Sequence, residues 1–512
     1  MNMTLSEIAD CVQGKLIGED VVVSSVSIDT RAIKPGQLYV AIKGHNFDGN
    51  EFVDKAEQAG ASAAIVHEGV KSTIPRIVVD DTHLALAELA GAWRKKTTLA
   101  VGRIGSLPIA TLLTSMDGGN ADDCREQSRS PSLAVVGITG SNGKTTVKEM
   151  VAAILSVNGS TLLTQGNLNN DIGVPLTLLR LNEQHRYAVI EMGANHPGEI
   201  EYTSKYVQAD VAIITNVGAA HIEGFGSIDG VAKAKGEIIQ TLKQDGVAVL
   251  NHDDAYFDYW ESVAGTRKII SFGLDRSATV TAHSVKTEII DHEFATAFEL
   301  VTTAGELTVK LKLAGRHNVV NALAATAACL ALDIDLRQIK QGLESVKPVT
   351  GRLQPLVSRL GNIVIDDTYN ANSASLKAGL DVLANCAGEH WLVLGAFGEL
   401  GPDSPKIHEE MGALIKLSGV VRLLAIGSDA RNTVKVFGKG ADFFDSQNDL
   451  IDVLKHELKG DEAILIKGSR TQRMENVAAA LVENFRSGSR SNPRDVVNAG
   501  IAGALSAPPT SM

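Results

Sequence analysis

The run Thr139-Gly140-Ser141-Asn142-Gly143-Lys144-Thr145-Thr146 holds the residue types best suited to chemistry in this 512-residue chain. Its glycines permit a tight turn in which successive backbone N–H groups face one concavity and attract an anion. Lys144 is placed to neutralise β- and γ-phosphates, and the Thr145 hydroxyl is an oxygen ligand suited to Mg²⁺. The strict phosphate-loop pattern has a glycine where Ile138 stands. Such a loop needs a buried strand before it and a helix after it. Leu133 to Ile138 is apolar and of strand length. Val147, Met150, Val151, Ile154 and Leu155 then recur at the spacing of one helix face, and a helix N-terminus adds its positive end to the phosphate. A turn that merely contains Gly-Lys-Thr would explain neither flank. The stretch reads as an ATP site.

Other apolar runs end on polar residues: Tyr187–Glu191 on Glu191, Val211–Asn216 on Asn216 with His221 beyond, and Val247–Asn251 on Asn251 with Asp253 beyond. In open parallel sheets ligands gather at the carboxyl ends of strands, so these residues are expected beside the loop. Glu191 is the best oxygen ligand for a hard cation. Taken alone, a strand-end glutamate is usually solvated and a single histidine usually structural.

Composition narrows the class. The net charge of −12 argues against nucleic acid as a partner. With 44% hydrophobic and 21% charged residues the chain can build full cores, in about three domains. The four cysteines form no CxxC pair, which fits a reducing compartment and gives no zinc signature. No signal peptide is visible, and the apolar stretch 99–116 is broken by Arg103, Gly105 and Pro108. A cytoplasmic protein without membrane insertion is expected. Residues 1–96 alternate short strands with turns around a helical stretch, as in a small α/β domain. Residues 97–131 lose periodicity and read as an inserted loop or linker, partly disordered. Residues 132–346 repeat a parallel α/β pattern, 347–487 form a third α/β unit, and 488–512 read as a disordered tail.

The loop TGSNGKTT resembles the ATP loop of the Mur ligases, which form amide bonds through acyl phosphates. Ser27–Val66 resembles the first domain of members of that family, and Glu191–Ser227 resembles a central signature of it. The resemblance implies an α/β fold in three domains: a small UDP-binding domain, a central parallel-sheet ATPase domain, and a C-terminal Rossmann-like domain for an incoming dipeptide. It implies ATP and Mg²⁺ as cofactors, and UDP-MurNAc-tripeptide and D-Ala-D-Ala as substrates joined by a monomeric enzyme of peptidoglycan precursor synthesis. Carried over residue by residue, Ser27, Thr30, Arg31, Lys43, Gly44, Asp48 and Gly49 would hold the UDP end. Asn167, Asn169, Asn170 and Asp171 would hold sugar or peptide. Glu191 and His221 would serve metal and phosphate beside Lys144 and Thr145, and Lys235 would bind a second metal if carbamylated. Asn318 and Asn321 would meet adenine, Arg352 a phosphate, and Asp367 the ribose, with Tyr369 and Asn370 nearby. Lys467 and Arg470 would meet the dipeptide carboxylate. Two departures stand out: Ser373 replaces a proline, and Gly395-Ala396-Phe397 lacks the usual acidic residue. The alternatives are the Mur ligase that adds the third amino acid, whose DNPR-type segment is absent here, and a non-catalytic ATP-binding homologue. Folylpolyglutamate synthetase does not account for the Ser27–Val66 domain.

Overall fold

A computed structural model describes residues 1–44, 47–104, 133–218, 222–290 and 293–482. The short β-branched runs near the start pair into a five-stranded sheet in the order Lys15–Ile17, Arg76–Val78, Ala63–Val66, Gln37–Val40, Ser25–Ser27. All neighbours are parallel except the first pair. Parallel pairing sets the carboxyl ends of Ser25–Ser27 and Gln37–Val40 side by side, so the loops that follow them meet at one edge.

The expected break at residue 97 is not where the helix ends. Helix Thr82–Ile104 runs through the first eight residues read as linker. Ahead of that point the helix is held by the first and central units together. Trp93 donates its indole N–H to the Leu181 carbonyl at 2.9 Å, and Arg94 donates to the Gln208 carbonyl at 2.7 Å. Leu86, Leu89 and Trp93 share one apolar core with Leu178, Leu181, Ile200 and Val207. The remainder of the expected insertion and the whole tail 488–512 lie outside the described residues.

The central sheet is entirely parallel, in the order Lys268–Phe272, Val247–Asn251, Val211–Ile214, Ala134–Thr139, Tyr187–Glu191, Thr161–Leu163. Its inner strands are covered on both faces, which is why they read as unbroken apolar runs. Ile138, which stands where the strict pattern has glycine, is fully buried within this core. Strand Ala134–Thr139 lies where the chain, having built one side of the sheet, crosses to the other. That switch point is where an α/β sheet opens a crevice. A three-stranded antiparallel meander (281–311) and the Ala-rich helix Arg316–Leu330 complete this unit. Val319, Ala322 and Leu323 of that helix pack in one cluster with Val147, Met150, Val151 and Ile154 of the loop helix Lys144–Asn158.

The third sheet runs Gln354–Val357, Ile363–Asp367, Glu462–Lys467, Glu389–Gly395, Arg422–Ile426, Ala441–Phe444, parallel after its first strand. Its register sets Asp367 directly beside Lys467. Among the described residues no helix is long and apolar enough to cross a membrane.

Candidate functional site

A cavity of about 600 Å³ opens between the central and C-terminal sheets, over the end of strand Ala134–Thr139. Ser141 to Thr146 form its floor. Thr139 and Gly140 lie below that floor: Thr139 is fully buried in its strand, and Gly140 has φ +145°, with no room for a Cβ beside Thr215. Gly143 is left-handed at φ +81° and abuts Asn321, so only glycine suits this entry to the helix.

The loop is braced from the next strand. Ser141 and Asn142 donate backbone N–H bonds to the Asn216 carbonyl and Oδ1, at 2.9 and 3.0 Å, and Thr215 donates its hydroxyl to the Asn142 carbonyl at 2.6 Å. From the third sheet Asn372 donates to Asn142 Oδ1 at 2.8 Å. Thr215 and Asn372 were given no role by their sequence context. Asn216 gave a signal in its place at the end of an apolar strand. Lys144 curls back over the loop and donates to the Gly140 carbonyl at 2.7 Å. Burial lowers its pKa, with the Arg352 charge adding and Glu191 opposing.

Glu191 and Thr145 meet as expected. The Thr145 hydroxyl donates to Glu191 Oε2 at 3.0 Å and accepts from Arg352 Nη2 at 3.1 Å. Asn169 donates to Glu191 Oε1 at 2.8 Å. Glu191 is 2% exposed, and a carboxylate buried this deeply requires such partners. Arg352 comes from the far side of the domain boundary and stacks on Tyr369, 4.2 Å from the ring centroid. Its Nε–H is buried with no hydrogen-bond partner among the described residues, a donor left for a ligand oxygen.

Around the remaining wall stand Asn167, Asn170, Asn318, Asn321, Asp367 and Asn370. Asn321 donates to Asn318 Oδ1 at 3.0 Å, and Asn318 donates to the Ala314 carbonyl at 2.8 Å. His317, next to Asn318, also lines the cavity, and burial pulls its pKa down to about 4, so it is neutral at pH 7. Lys347 joins the wall at the boundary between the units.

Several expected residues lie elsewhere. Lys467 reaches the cavity wall, but its fully buried ammonium donates to Asp367 Oδ2 at 2.5 Å and to the Asn370 carbonyl at 3.2 Å. Its charge is committed to a protein carboxylate. Arg470 is exposed and pairs with Glu475 at 3.2 Å, with its guanidinium 5.9 Å from the ring centroid of Tyr369, a residue of the cavity lining. Lys235 is buried and is not among the cavity-lining residues, its Nζ 5.5 Å from the Phe225 ring centroid. Burial, with the Lys144 charge adding, brings its pKa down to about 7. Ala396 and Phe397 are core residues: the Phe397 N–H donates to His408 Nε2 at 3.1 Å, and Ser469 donates to the Ala396 carbonyl at 2.8 Å. His221 lies outside the described residues.

The first-sheet residues form a separate cluster. The loops bearing Ser27, Thr30 and Arg31 and bearing Lys43, Gly44, Asp48 and Gly49 follow the two neighbouring parallel strands. None of the seven lines the 600 Å³ cavity. Lys43 pairs with Asp48 at 3.8 Å, and exposed Arg31 pairs with Asp29 at 2.7 Å. Asp29 is thereby held below the usual carboxylate range, chiefly by hydrogen bonds from Arg31. Gly49 fits against Ile42, whose carbonyl a Cβ would approach to 2.6 Å.

Known proteins share this layout. Three family profiles match in order: "Mur ligase family, catalytic domain" over residues 22–94, "Mur ligase middle domain" over 138–329, and "Mur ligase, glutamate ligase domain" over 351–470. The UDP-N-acetylmuramoyl-tripeptide–D-alanyl-D-alanine ligase of Escherichia coli is 41% identical over 486 residues, 94% of this chain and 99% of that protein. The crystal structure of MurF from Acinetobacter baumannii superposes with a TM-score of 0.83 at 34% identity, covering 94% of this chain and 99% of that one. MurF from Thermotoga maritima in complex with ADP gives 0.74 at 27% identity, over 90% and 97%. A phosphate loop at a sheet's switch point, flanked by two further α/β units and matched along nearly its whole length, places this chain in the Mur ligase family.

Proposed function

We propose that this protein is the ATP-dependent ligase that joins D-Ala-D-Ala to UDP-MurNAc-tripeptide, giving UDP-MurNAc-pentapeptide, ADP and phosphate. The observation that carries the reading is the junction of Lys144, Thr145, Glu191 and Arg352 across the domain boundary, in a chain 41% identical to a protein of that name. ATP would lie along Ser141–Thr146, with its base toward Asn318 and Asn321 and its ribose toward Asp367. Lys144 and Arg352 would then bracket the transferring phosphoryl group, where catalysis is chiefly positioning and charge neutralisation.

The donor set suits magnesium. Among the described residues no three His, Cys, Asp or Glu side chains cluster to make a complete protein cage. Mg²⁺ instead favours one or two protein oxygens, with phosphates and water filling its octahedron. Thr145 and Glu191 offer that pair, and the ion would supply charge neutralisation at the phosphates. Lys235, half neutral near pH 7, is suited to react with CO₂, which would turn it into an oxygen ligand. His221 completes the proposed catalytic set.

In the reaction the tripeptide's terminal carboxylate takes the γ-phosphoryl group, and the dipeptide amine displaces phosphate from the resulting acyl phosphate. The amine must lose a proton and meet the carbonyl in line, so the chain's main task is to hold the parts together. The first-sheet cluster would anchor the UDP end, and the Asn167–Asp171 loop would carry the sugar or peptide toward Glu191. The dipeptide would lie toward the third sheet. Because Lys467 is neutralised by Asp367, Arg470 is the better suited of the two expected cations to reach its carboxylate, once it leaves Glu475. In this reading the enzyme is monomeric and cytoplasmic.

Phosphate release with Mg-ATP and UDP-MurNAc-tripeptide, with and without D-Ala-D-Ala, tests this. Release that requires the dipeptide, with pentapeptide found by mass spectrometry, is the expected result. Release driven by a single amino acid on a UDP-dipeptide acceptor would reassign the chain to the neighbouring step.

A further inference from the structure

One histidine joins the two ligand-bearing regions that the cavity itself does not connect. His83 stands in the first turn of helix Thr82–Ile104, where Asp81 Oδ1 accepts the backbone N–H groups of His83 and Leu84 at 2.8 and 3.0 Å. Its Nε2 lies 3.2 Å from the Lys43 carbonyl oxygen, and its Nδ1 lies 3.5 Å from Asp171 Oδ2. Both partners only accept hydrogen bonds: one is a carbonyl, the other a carboxylate. An imidazole that donates to both must carry a proton on each nitrogen, so the imidazolium is the form suited to this pair of acceptors.

Each partner belongs to a different part of the machinery. Lys43 pairs with Asp48 in an antiparallel bridge, beside the Gly49 N–H that donates to the Ile42 carbonyl at 2.9 Å. Asp171 ends the loop in which Asn169 donates to Glu191 Oε1 at 2.8 Å and accepts from the Gly193 N–H at 2.8 Å. Beside His83, the Thr82 hydroxyl donates to the Ala41 carbonyl at 2.9 Å, so the helix start is fixed to the first sheet.

We propose that His83 is a positioning residue of the ligation, its imidazolium fixing Lys43 of the first unit and Asp171 of the central loop in one mutual arrangement. The role in ligation rests on the activity proposed above; the latch itself does not. The groups acting on the ring are the Asp171 carboxylate from the central loop, the Asp81 carboxylate from its own helix start, and the Lys43 backbone carbonyl from the first unit. The Asp171 hydrogen bond, with its charge adding, raises the His83 pKa against the opposing effect of burial. The same bond lowers that of Asp171. The latch is therefore complete below pH ~6.5 and is lost as pH climbs through the raised value.

Two measurements on the full chain separate the latch from the activity. In the first, the His83 ring proton is titrated by NMR without substrate in wild type and in Asp171→Asn. The expected result is a wild-type midpoint above ~6.5 that falls in the variant; identical midpoints would overturn the latch whatever the enzyme's substrates. In the second, steady-state kinetics compare His83→Leu and His83→Arg, with folding checked by thermal melting. His83→Leu should raise KM for the UDP-linked substrate about tenfold, with a smaller change in KM for ATP. His83→Arg, which keeps two donors and a permanent charge, should restore the wild-type value and hold it as pH rises. Folded His83→Leu with unchanged KM, or folded His83→Arg without rescue, would overturn the positioning role.

Discussion

Replacing Arg352 should damage turnover more than any other single change outside the phosphate loop. Its guanidinium makes a hydrogen bond of 3.1 Å to Thr145 and a stack of 4.2 Å on Tyr369, and it holds a buried N–H in reserve. A hydrogen bond from a charged group contributes about 1.5–3 kcal/mol, and a guanidinium–aromatic contact about 0.5–2 kcal/mol. At about 1.4 kcal/mol per decade, Arg352→Ala should lower kcat/KM by about 30- to 4,000-fold. Arg352→Lys keeps the charge but loses the planar fork and the stack, so it should retain more activity, within about tenfold of wild type. Because Arg352 lies across the boundary from Thr145, the loss should fall on kcat while the equilibrium affinity for ATP changes little. Coupled assay of ADP release, with nucleotide affinity measured separately by calorimetry, distinguishes the two. An Arg352→Ala enzyme within about threefold of wild type in kcat/KM would refute the reasoning, since neither interaction would then matter in the transition state.

Three further outcomes follow from the same geometry. Lys144→Ala should reduce turnover at least ~100-fold, the usual cost of removing one electrostatic stabiliser of a transition state, measured as phosphate release. Lys235, with its pKa near 7, should carry a carbamate in ¹³C-bicarbonate buffer at pH 7.5; a carbamate carbon resonance present in wild type and absent in Lys235→Met checks this. Lys467→Met should destabilise the third unit by about 3–5 kcal/mol, because it strands Asp367 as a buried charge, and the double variant with Asp367→Leu should recover most of that loss in urea unfolding.

What the sequence made legible was local. The strand, glycine loop and helix around Lys144 are contiguous, so their periodicity and turn chemistry are all present in one short segment. Glu191 was legible because an apolar strand delivers its last residue to the crevice. Lys467 illustrates the opposite case. Its partner Asp367 is a hundred residues away and becomes a neighbour only through parallel register, so a cation expected at the dipeptide is spent on a protein carboxylate. Residues 97–104 read as linker for want of an apolar period; Thr97 and Val101 are buried in their helix all the same. Ala396 and Phe397 looked like a lesion in the site, whereas packing against His408 and Ser469 makes them core. His83 gave no signal, since a lone histidine acquires meaning only from what its two nitrogens face.

The shared core beneath helix Thr82–Ile104 also bears on how the chain is made. Leu86, Leu89 and Trp93 emerge from the ribosome well before Ile200 and Val207, which cover them. At about 5–20 residues per second, the intervening stretch of about a hundred residues takes on the order of 5–20 seconds to synthesise. For that interval the newborn helix carries an uncovered apolar face, the kind of surface that recruits chaperones or aggregates. Synthesis rate and chaperone supply, rather than final stability, should therefore govern how much of this enzyme a cell obtains in folded form.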